Sequence, residues 1–158
     1  MNTLIIYASK YGCTADCANK LKARLHGDTT VLDVKSVTTS MDLGKFDTVV
    51  IGGSVYVGKM AKPLRAFCEN NLDTFLQKKV GIFLCCGLPD EANTVLTANL
   101  PSTLLKHAKT TKVFGSEARL DKMNFVDKMM IKAVTKGDFS TFKVSGERID
   151  AFAKEIAS

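Results

Sequence analysis

A short loop near the N-terminus has the residues needed to hold an anion. In "YASKYGCTADC" an apolar run ends and an amphipathic pattern begins, and between them lie hydroxyl groups, one lysine and one glycine. These residues, called the first loop below, are Ser9, Lys10, Tyr11, Gly12, Cys13 and Thr14. The start of a helix offers free backbone N–H groups and the positive end of the helix dipole, and a glycine lets the backbone bend closely around a ligand. The loop therefore predicts a site for a phosphate monoester, although an ordinary helix cap would have a similar composition.

Two later loops offer an aromatic ring and close backbone approach. The second loop, "GGSVYVGKM" (52–60), has Tyr56 among small residues, where a planar ring can stack on a planar ligand; a surface tyrosine in a turn would look the same. Its candidate ligand contacts are Ser54, Val55, Tyr56, Val57 and Gly58. The third loop, "CGLPDEAN" (86–93), would cover the other face of the ligand with Gly87, Leu88 and Asn93. A phosphate site combined with an aromatic face predicts a site for flavin mononucleotide (FMN).

Competing phosphate sites are excluded by their missing motifs. The sequence has no GxxxxGK[ST] loop for a nucleoside triphosphate and no GxGxxG after the first predicted strand for a dinucleotide. A phospho-acceptor receiver domain needs an aspartate at the end of the third strand, where this chain has Gly53 and Ser54. None of the three loops contains an obvious general base, so the sequence assigns no catalytic residue.

The three loops belong to a regular alternation of strands and helices. Continuous apolar runs predict strands over residues 3–8, 30–34, 47–54, 80–87 and 112–120. Helical spacing of apolar residues predicts helices over residues 14–25, 62–76, 91–108, 123–135 and 147–157. This alternation predicts one α/β domain over residues 1–158, with a mostly parallel sheet and helices on both faces. In such sheets ligands bind outside the carboxyl ends of the strands, where these loops lie.

Composition narrows the setting in which the protein works. Hydrophobic residues make up 46% and charged residues 24% of the chain, as in a folded domain with a real core. No apolar run approaches the roughly 20 residues of a membrane span, and the N-terminus lacks the features of a signal peptide, so we expect a cytoplasmic protein. The net charge of +6 comes from scattered basic residues without interleaved aromatics, which argues against a nucleic-acid partner.

The five cysteines lack the paired spacing of a disulfide framework or a zinc site. Reduced, buried thiols and no metal site are therefore expected. Cys13 and Cys17 lie one turn apart at the start of a predicted helix, where a lowered thiol pKa would favour redox reactivity. Small packing residues explain the same two positions.

The sequence resembles the flavodoxin-like family. The family's phosphate loop reads [ST]-x-T-G-x-T directly after the first strand, and here "SKYGCT" follows "TLIIYA", with Tyr11 in place of the middle threonine. The resemblance covers essentially the whole chain and implies a three-layer sandwich, with a five-stranded parallel sheet in the order 2-1-3-4-5 and FMN as cofactor. Within that family, "DTVVIGGSVYVGK" and "NFVDKMMIKAVTKGDFST" look most like the flavodoxin-type, menaquinone-dependent protoporphyrinogen dehydrogenases. That closer match implies a quinone acceptor and a place in haem biosynthesis.

Two functions remain open at this point. One is an FMN-dependent oxidoreductase that passes electrons from a reduced substrate, such as protoporphyrinogen IX, to a quinone or other acceptor. The other is an electron-carrier flavodoxin that shuttles electrons between redox partner proteins. Carrier flavodoxins are usually acidic, whereas this chain is basic and has Lys10, Lys59 and Lys62 near the expected ring edge. Positive charge there would make the reduced, anionic flavin easier to form, which favours the enzyme.

The segment 123–136 is an addition that a short electron carrier does not need. Met123, Val126 and Met130 recur at helical spacing, beside a row formed by Lys128 and Lys132. A basic amphipathic helix of this kind docks on membrane surfaces, so peripheral contact with the inner face of the membrane is one expectation. The other is that the apolar face covers the protein core and the lysines are merely solvated.

Overall fold

The computed structural model describes all 158 residues and contains one parallel sheet flanked by helices. The strands are β1 (Asn2–Tyr7), β2 (Asp28–Asp33), β3 (Thr48–Ser54), β4 (Lys79–Cys85) and β5 (Thr110–Val113). The helices are α1 (Cys13–Lys22), α2 (Lys62–Asn70), α3 (Leu72–Phe75), α4 (Ala92–Asn99), α5 (Ser102–His107), α6 (Phe125–Thr135) and α7 (Gly146–Ala157). The strand order is β2-β1-β3-β4-β5, and every neighbouring pair is parallel. The predicted fold class and strand order are confirmed.

The apolar strands are continuous because helices cover both faces of the sheet. Alternate residues of β1 point to opposite faces, so Leu4 joins a core cluster of 20 buried residues while Ile5 joins a second cluster of 13. The second cluster includes residues of α1 and α7, packed against Phe83 of β4. All three strands that precede the predicted loops therefore end at one edge of a rigid, doubly covered sheet.

Three predicted elements differ from the structure. The helix expected over 91–108 divides into α4 and α5, because Leu100 precedes Pro101 and is extended, with φ −119° and ψ 151°. The helix expected over 62–76 divides at Asn71, where φ is −115° and ψ is 16°. The strand expected over 112–120 ends at Val113, so residues 114–120 form a connection instead.

That connection turns sharply at Gly115, whose φ of +92° lies in the left-handed region. A side chain there would collide with the carbonyl of Lys143. The turn lets the Ser145 N–H donate to the Phe114 carbonyl at 2.8 Å. Residues 116–142, including α6, are thereby returned to the loop edge of the sheet. No helix is both long and apolar enough to cross a membrane.

Candidate functional site

The first loop ends in an uncapped helix start. Gly12 precedes α1 with φ +95°, and no side chain caps the helix. The first hydrogen bond of the helix runs from the Asp16 N–H to the Gly12 carbonyl at 3.0 Å. The N–H groups of residues 13–15 therefore have no carbonyl acceptor within the helix. Ser9 fixes the turn, because its Oγ accepts the Gly12 N–H at 3.0 Å.

Thr14 contributes a hydroxyl that the protein does not use. The residue is fully buried and its Oγ1 has no hydrogen-bond partner, although Thr14 lines the cavity described below. A buried polar atom without a partner costs free energy. The hydroxyl is therefore free to donate to an acceptor on a ligand at the start of α1.

Arg119 braces the first loop from behind. Its guanidinium donates from Nη1 to the Tyr11 carbonyl at 3.1 Å and from Nη2 to the Asp16 carboxylate at 2.5 Å. The φ of +95° at Gly12 favours glycine, and a Cβ atom there would lie 2.7 Å from Nη1, so Arg119 would have to shift. Hydrogen bonding to Asp16 raises the pKa of Arg119 further above its ordinary value. The residue holds the loop in shape and stays charged.

A cavity of about 410 Å³ opens where the three loops meet. Twelve of the fourteen residues predicted to bind the cofactor line it: Ser9, Lys10, Tyr11, Cys13, Thr14, Ser54, Val55, Tyr56, Val57, Gly58, Gly87 and Leu88. The other two are placed differently. Gly12 shapes the first loop without lining the cavity, and Asn93 lies exposed in the first turn of α4. A cavity of this volume is of the size that holds a small-molecule cofactor.

One carboxylate ties the first and second loops to α6. Asp127 of α6 is 4% exposed and accepts hydrogen bonds from the hydroxyls of Tyr11 and Tyr56. It also pairs with Lys10 at 2.5 Å, and the Lys10 ammonium lies 4.0 Å from the centre of the Tyr56 ring. The Asn124 side chain caps α6 by accepting the Asp127 N–H at 2.8 Å. Asp127 is thus the anchor that holds α6 over the cavity.

The ionisation of these groups follows from their contacts. Burial alone raises the pKa of Asp127, but its hydrogen bonds from Lys10 and the two tyrosines outweigh this and lower the pKa to about 2. Burial and the hydrogen bond to Asp127 raise the pKa of Tyr56 to about 12. The same two causes raise the pKa of Tyr11. Lys10 is therefore an ion-pair partner here, not the unpaired positive charge that the sequence suggested.

The third loop is covered by the chain that follows α6. A Cβ atom on Gly87 would lie less than 3.0 Å from three ring carbons of Phe142, which itself lines the cavity. The Thr141 hydroxyl donates to the Gly87 carbonyl at 2.7 Å. Glycine at this position therefore admits an aromatic ring to the cavity wall.

The outer wall of the cavity is apolar. Residues of α6 and its flanks supply Met123, Met130, Ile131, Val134 and Phe142. The helix is inverted relative to an ordinary surface helix, because Asp127 is its buried residue while several of its apolar side chains are exposed. The expectation that the apolar face of 123–136 covers the protein core is wrong.

Sequence patterns missed several residues of this site, of which Asp127, Arg119 and Phe142 matter most to its shape. Asp127 is the only acidic residue in the lysine-rich segment 123–136, and that isolation was the available signal. Arg119 and Phe142 fall outside the three loops and have no local pattern that points to the cavity. All three reach the site because the chain turns at Gly115, after which residues 116–142 lie at the loop edge of the sheet.

A parallel sheet covered on both faces, with a cavity built by loops at its carboxyl edge, defines a ligand-binding protein of the doubly wound α/β class. The sequence matches the flavodoxin-domain family over residues 4–143, and the chain belongs to that family. A comparison with curated proteins finds no match.

Solved flavodoxin structures share the fold across nearly the whole chain. A short-chain flavodoxin associated with a PDU bacterial microcompartment is 19% identical, with a TM-score of 0.64 over 99% of this chain and 97% of that one. The flavodoxin of Streptococcus pneumoniae TIGR4 is 18% identical, with a TM-score of 0.55 and coverage of 99% and 98%. The Fusobacterium nucleatum flavodoxin, solved bound to FMN, is 16% identical, with a TM-score of 0.54 and the same coverage. At these identities the likeness supports the fold.

Proposed function

We propose that this chain is an FMN-dependent oxidoreductase that passes electrons from a reduced organic substrate to a quinone or other acceptor. The observation behind this proposal is the apolar outer wall that α6 and Phe142 add to a flavodoxin-type cavity. An electron carrier needs an exposed ring edge, whereas a small-molecule substrate needs a chamber beside it.

The first loop fits the phosphate of FMN. The unpaired, buried Thr14 hydroxyl and the N–H groups of residues 13–15 converge at the positive end of α1. Two contacts hold the loop in this shape without a ligand: the Ser9 Oγ accepts the Gly12 N–H, and Arg119 donates to the Tyr11 carbonyl. Tyr11 replaces the family's threonine. Its hydroxyl donates to Asp127, so only its backbone is available to the phosphate.

The second and third loops fit the ring system. Tyr56, Val55 and Leu88 line the cavity between the first loop and the α6 wall. When bound, FMN supplies the capacity to take up a hydride equivalent and to release electrons singly or in pairs. The protein's part is to hold and orient it. Asp127 fixes the Tyr56 hydroxyl, and α6 supplies an apolar wall beside the ring site.

The resemblance of residues 124–141 to protoporphyrinogen dehydrogenases makes protoporphyrinogen IX the first substrate to test. FMN-loaded protein is mixed anaerobically with this porphyrinogen, and flavin absorbance and porphyrin fluorescence are followed together. Conversion of the porphyrinogen to porphyrin releases six electrons, and each FMN takes up two. We therefore expect the porphyrinogen to bleach the flavin first, and added menadione, which reoxidises the flavin in repeated turnovers, to restore the flavin absorbance and raise the porphyrin fluorescence. Reduction by a protein donor alone, with porphyrinogen and quinols inert, would favour the carrier function.

Two variants of α6 test whether the substrate enters the cavity beside this helix or whether the helix only covers the cavity. Ile131→Trp fills the cavity wall, whereas Ala133→Trp places the same ring on the exposed side of the helix. Both proteins should retain FMN. Substrate-dependent flavin reduction should slow at least tenfold in Ile131→Trp only. Equal rates in the two variants would show that the chamber does not receive the substrate.

We further propose that the exposed face of α6 docks on an anionic lipid surface, where a lipid-soluble quinone is available. Its exposed apolar side chains that do not line the cavity are Phe125, Val126 and Met129. Lys132 and Lys136 are exposed on the same helix end. An apolar face flanked by lysines is complementary to a bilayer that contains acidic lipids.

Sedimentation with phosphatidylcholine vesicles, with and without phosphatidylserine, tests this surface. Wild-type protein should pellet with the anionic vesicles, and Lys132→Glu should weaken binding at least about tenfold. Lys106→Glu on α5 changes the net charge equally and should not weaken it. Equal loss in both variants, or no binding to either vesicle, would contradict the proposed surface.

A further inference from the structure

Three cysteine thiols meet behind the first loop. Cys13 is the first residue of α1, Cys17 lies one turn later, and Cys85 is the last residue of β4. Their Sγ atoms all lie within 4.8 Å of one another, and none of the three is in a disulfide. They are 9%, 0% and 2% exposed, respectively. Two separate elements thus bring three sulfur atoms together in one buried cluster, which we call the thiol triad.

The surroundings of the thiol triad are apolar. The three cysteines belong to the core cluster that includes Phe83 and Phe114, and no histidine nitrogen or carboxylate oxygen joins their sulfur atoms. Cys86, the next residue after Cys85, belongs to the core cluster on the opposite face of the sheet. Packing alone requires small side chains here, but it does not require three sulfur atoms that converge.

We propose that the thiol triad binds one soft, three-coordinate metal ion of the Cu(I) class. Thiolates prefer soft ions, and hard ions would find no oxygen ligands here. Structural zinc takes four protein ligands, of which this cluster supplies three. A metal–sulfur bond of about 2.3 Å in a trigonal plane sets the sulfur atoms about 4.0 Å apart, which the observed spacing allows.

The proposed binding is a simple exchange without electron transfer. Three S–H bonds break, three metal–sulfur bonds form, and the protons leave to solvent while the ion keeps its oxidation state. Because Cys13 belongs to the first loop, a bound ion would fix the turn that begins α1. The positive end of α1 offsets part of the negative charge of the thiolates.

Anaerobic titration with Cu(I), in competition with the chromophoric chelator bicinchoninate, tests the site. Cys17→Ala removes one ligand and does not line the cofactor cavity. Cys68→Ala is the matched control, because both cysteines lie within helices and are 0% exposed. FMN content and circular dichroism are recorded for every sample, so a failed metal site is distinguished from a failed flavin site or a misfolded variant.

Wild-type and Cys68→Ala proteins should each bind one Cu(I) per chain, and X-ray absorption should report three sulfur ligands. Cys17→Ala should bind at least about 100-fold more weakly, because a lost ligand should cost more than a lost supporting contact. Equal affinity in Cys17→Ala, or a first shell with nitrogen or oxygen ligands, would overturn the proposal. Preferential binding of Zn(II) over Cu(I) would overturn the ion class.

Discussion

Replacing Thr14 by valine should change the stability of the flavin-free protein and its affinity for FMN in opposite directions. The Thr14 hydroxyl is buried and unpaired, and valine has nearly the same shape without it. An unpaired buried polar group costs about 1–3 kcal/mol, so Thr14→Val should raise the free energy of unfolding by at least about 1 kcal/mol. A hydrogen bond to a charged acceptor is worth about 1.5–3 kcal/mol, so FMN should bind about 10- to 150-fold more weakly.

Thr3 provides the matched control. Its Oγ1 is also buried and unpaired, but the residue lies near the amino end of β1, away from the first loop. Thr3→Val should therefore stabilise the flavin-free protein and leave FMN affinity unchanged. Urea denaturation of flavin-free protein and quenching of FMN fluorescence measure the two quantities. A destabilised Thr14→Val protein with unchanged FMN affinity would refute the assignment of Thr14 to the phosphate.

Three further changes test the supports of the site. Arg119→Gln should lower the free energy of unfolding by about 1–2 kcal/mol and weaken FMN binding, because the first loop loses its brace; unchanged FMN affinity would contradict that role. Gly87→Ala should cost about 1–3 kcal/mol through its clash with Phe142, and a second change, Phe142→Ala, should relieve the clash; an unrelieved loss in the double variant would show another cause. The raised pKa of Tyr56, about 12, means that its neutral form stabilises the fold fully below pH ~10 and that this contribution is lost as the pH rises towards 12. Asp127→Asn removes the carboxylate, so phenolate absorbance should appear at lower pH than in wild type; identical titration curves would show that Asp127 does not hold the tyrosine.

The first and second loops could be predicted from the sequence because each directly follows a strand that is buried on both faces. Such strands read as unbroken apolar runs, and their carboxyl ends must meet at one sheet edge. The strand order followed from the resemblance, since "SKYGCT" occupies the family's phosphate-loop position. The apolar runs and the "SKYGCT" motif are both local signals, because each lies within a few residues of the loop that it predicts.

The α6 wall could not be predicted in the same way. Its periodicity gave a helix correctly, but it could not reveal that the buried residue would be a carboxylate, while apolar side chains such as Met130 line an open cavity. That orientation depends on hydroxyl groups from Tyr11 and Tyr56, 116 and 71 residues away from Asp127. The thiol triad was missed for a similar reason, because Cys85 joins Cys13 and Cys17 through the register of β4, not through sequence spacing.

The most direct test of the central claim compares FMN with riboflavin, which lacks the phosphate, as ligands of the flavin-free protein. If the first loop holds the phosphate, one FMN should bind per chain, at least about 100-fold more tightly than riboflavin, since two charge-assisted hydrogen bonds are worth about 3 kcal/mol or more. Thr14→Val should weaken the binding of FMN and leave the binding of riboflavin unchanged, so the difference between the two affinities should become smaller. Equal affinity for the two flavins, or no binding of either, would contradict the account of this site.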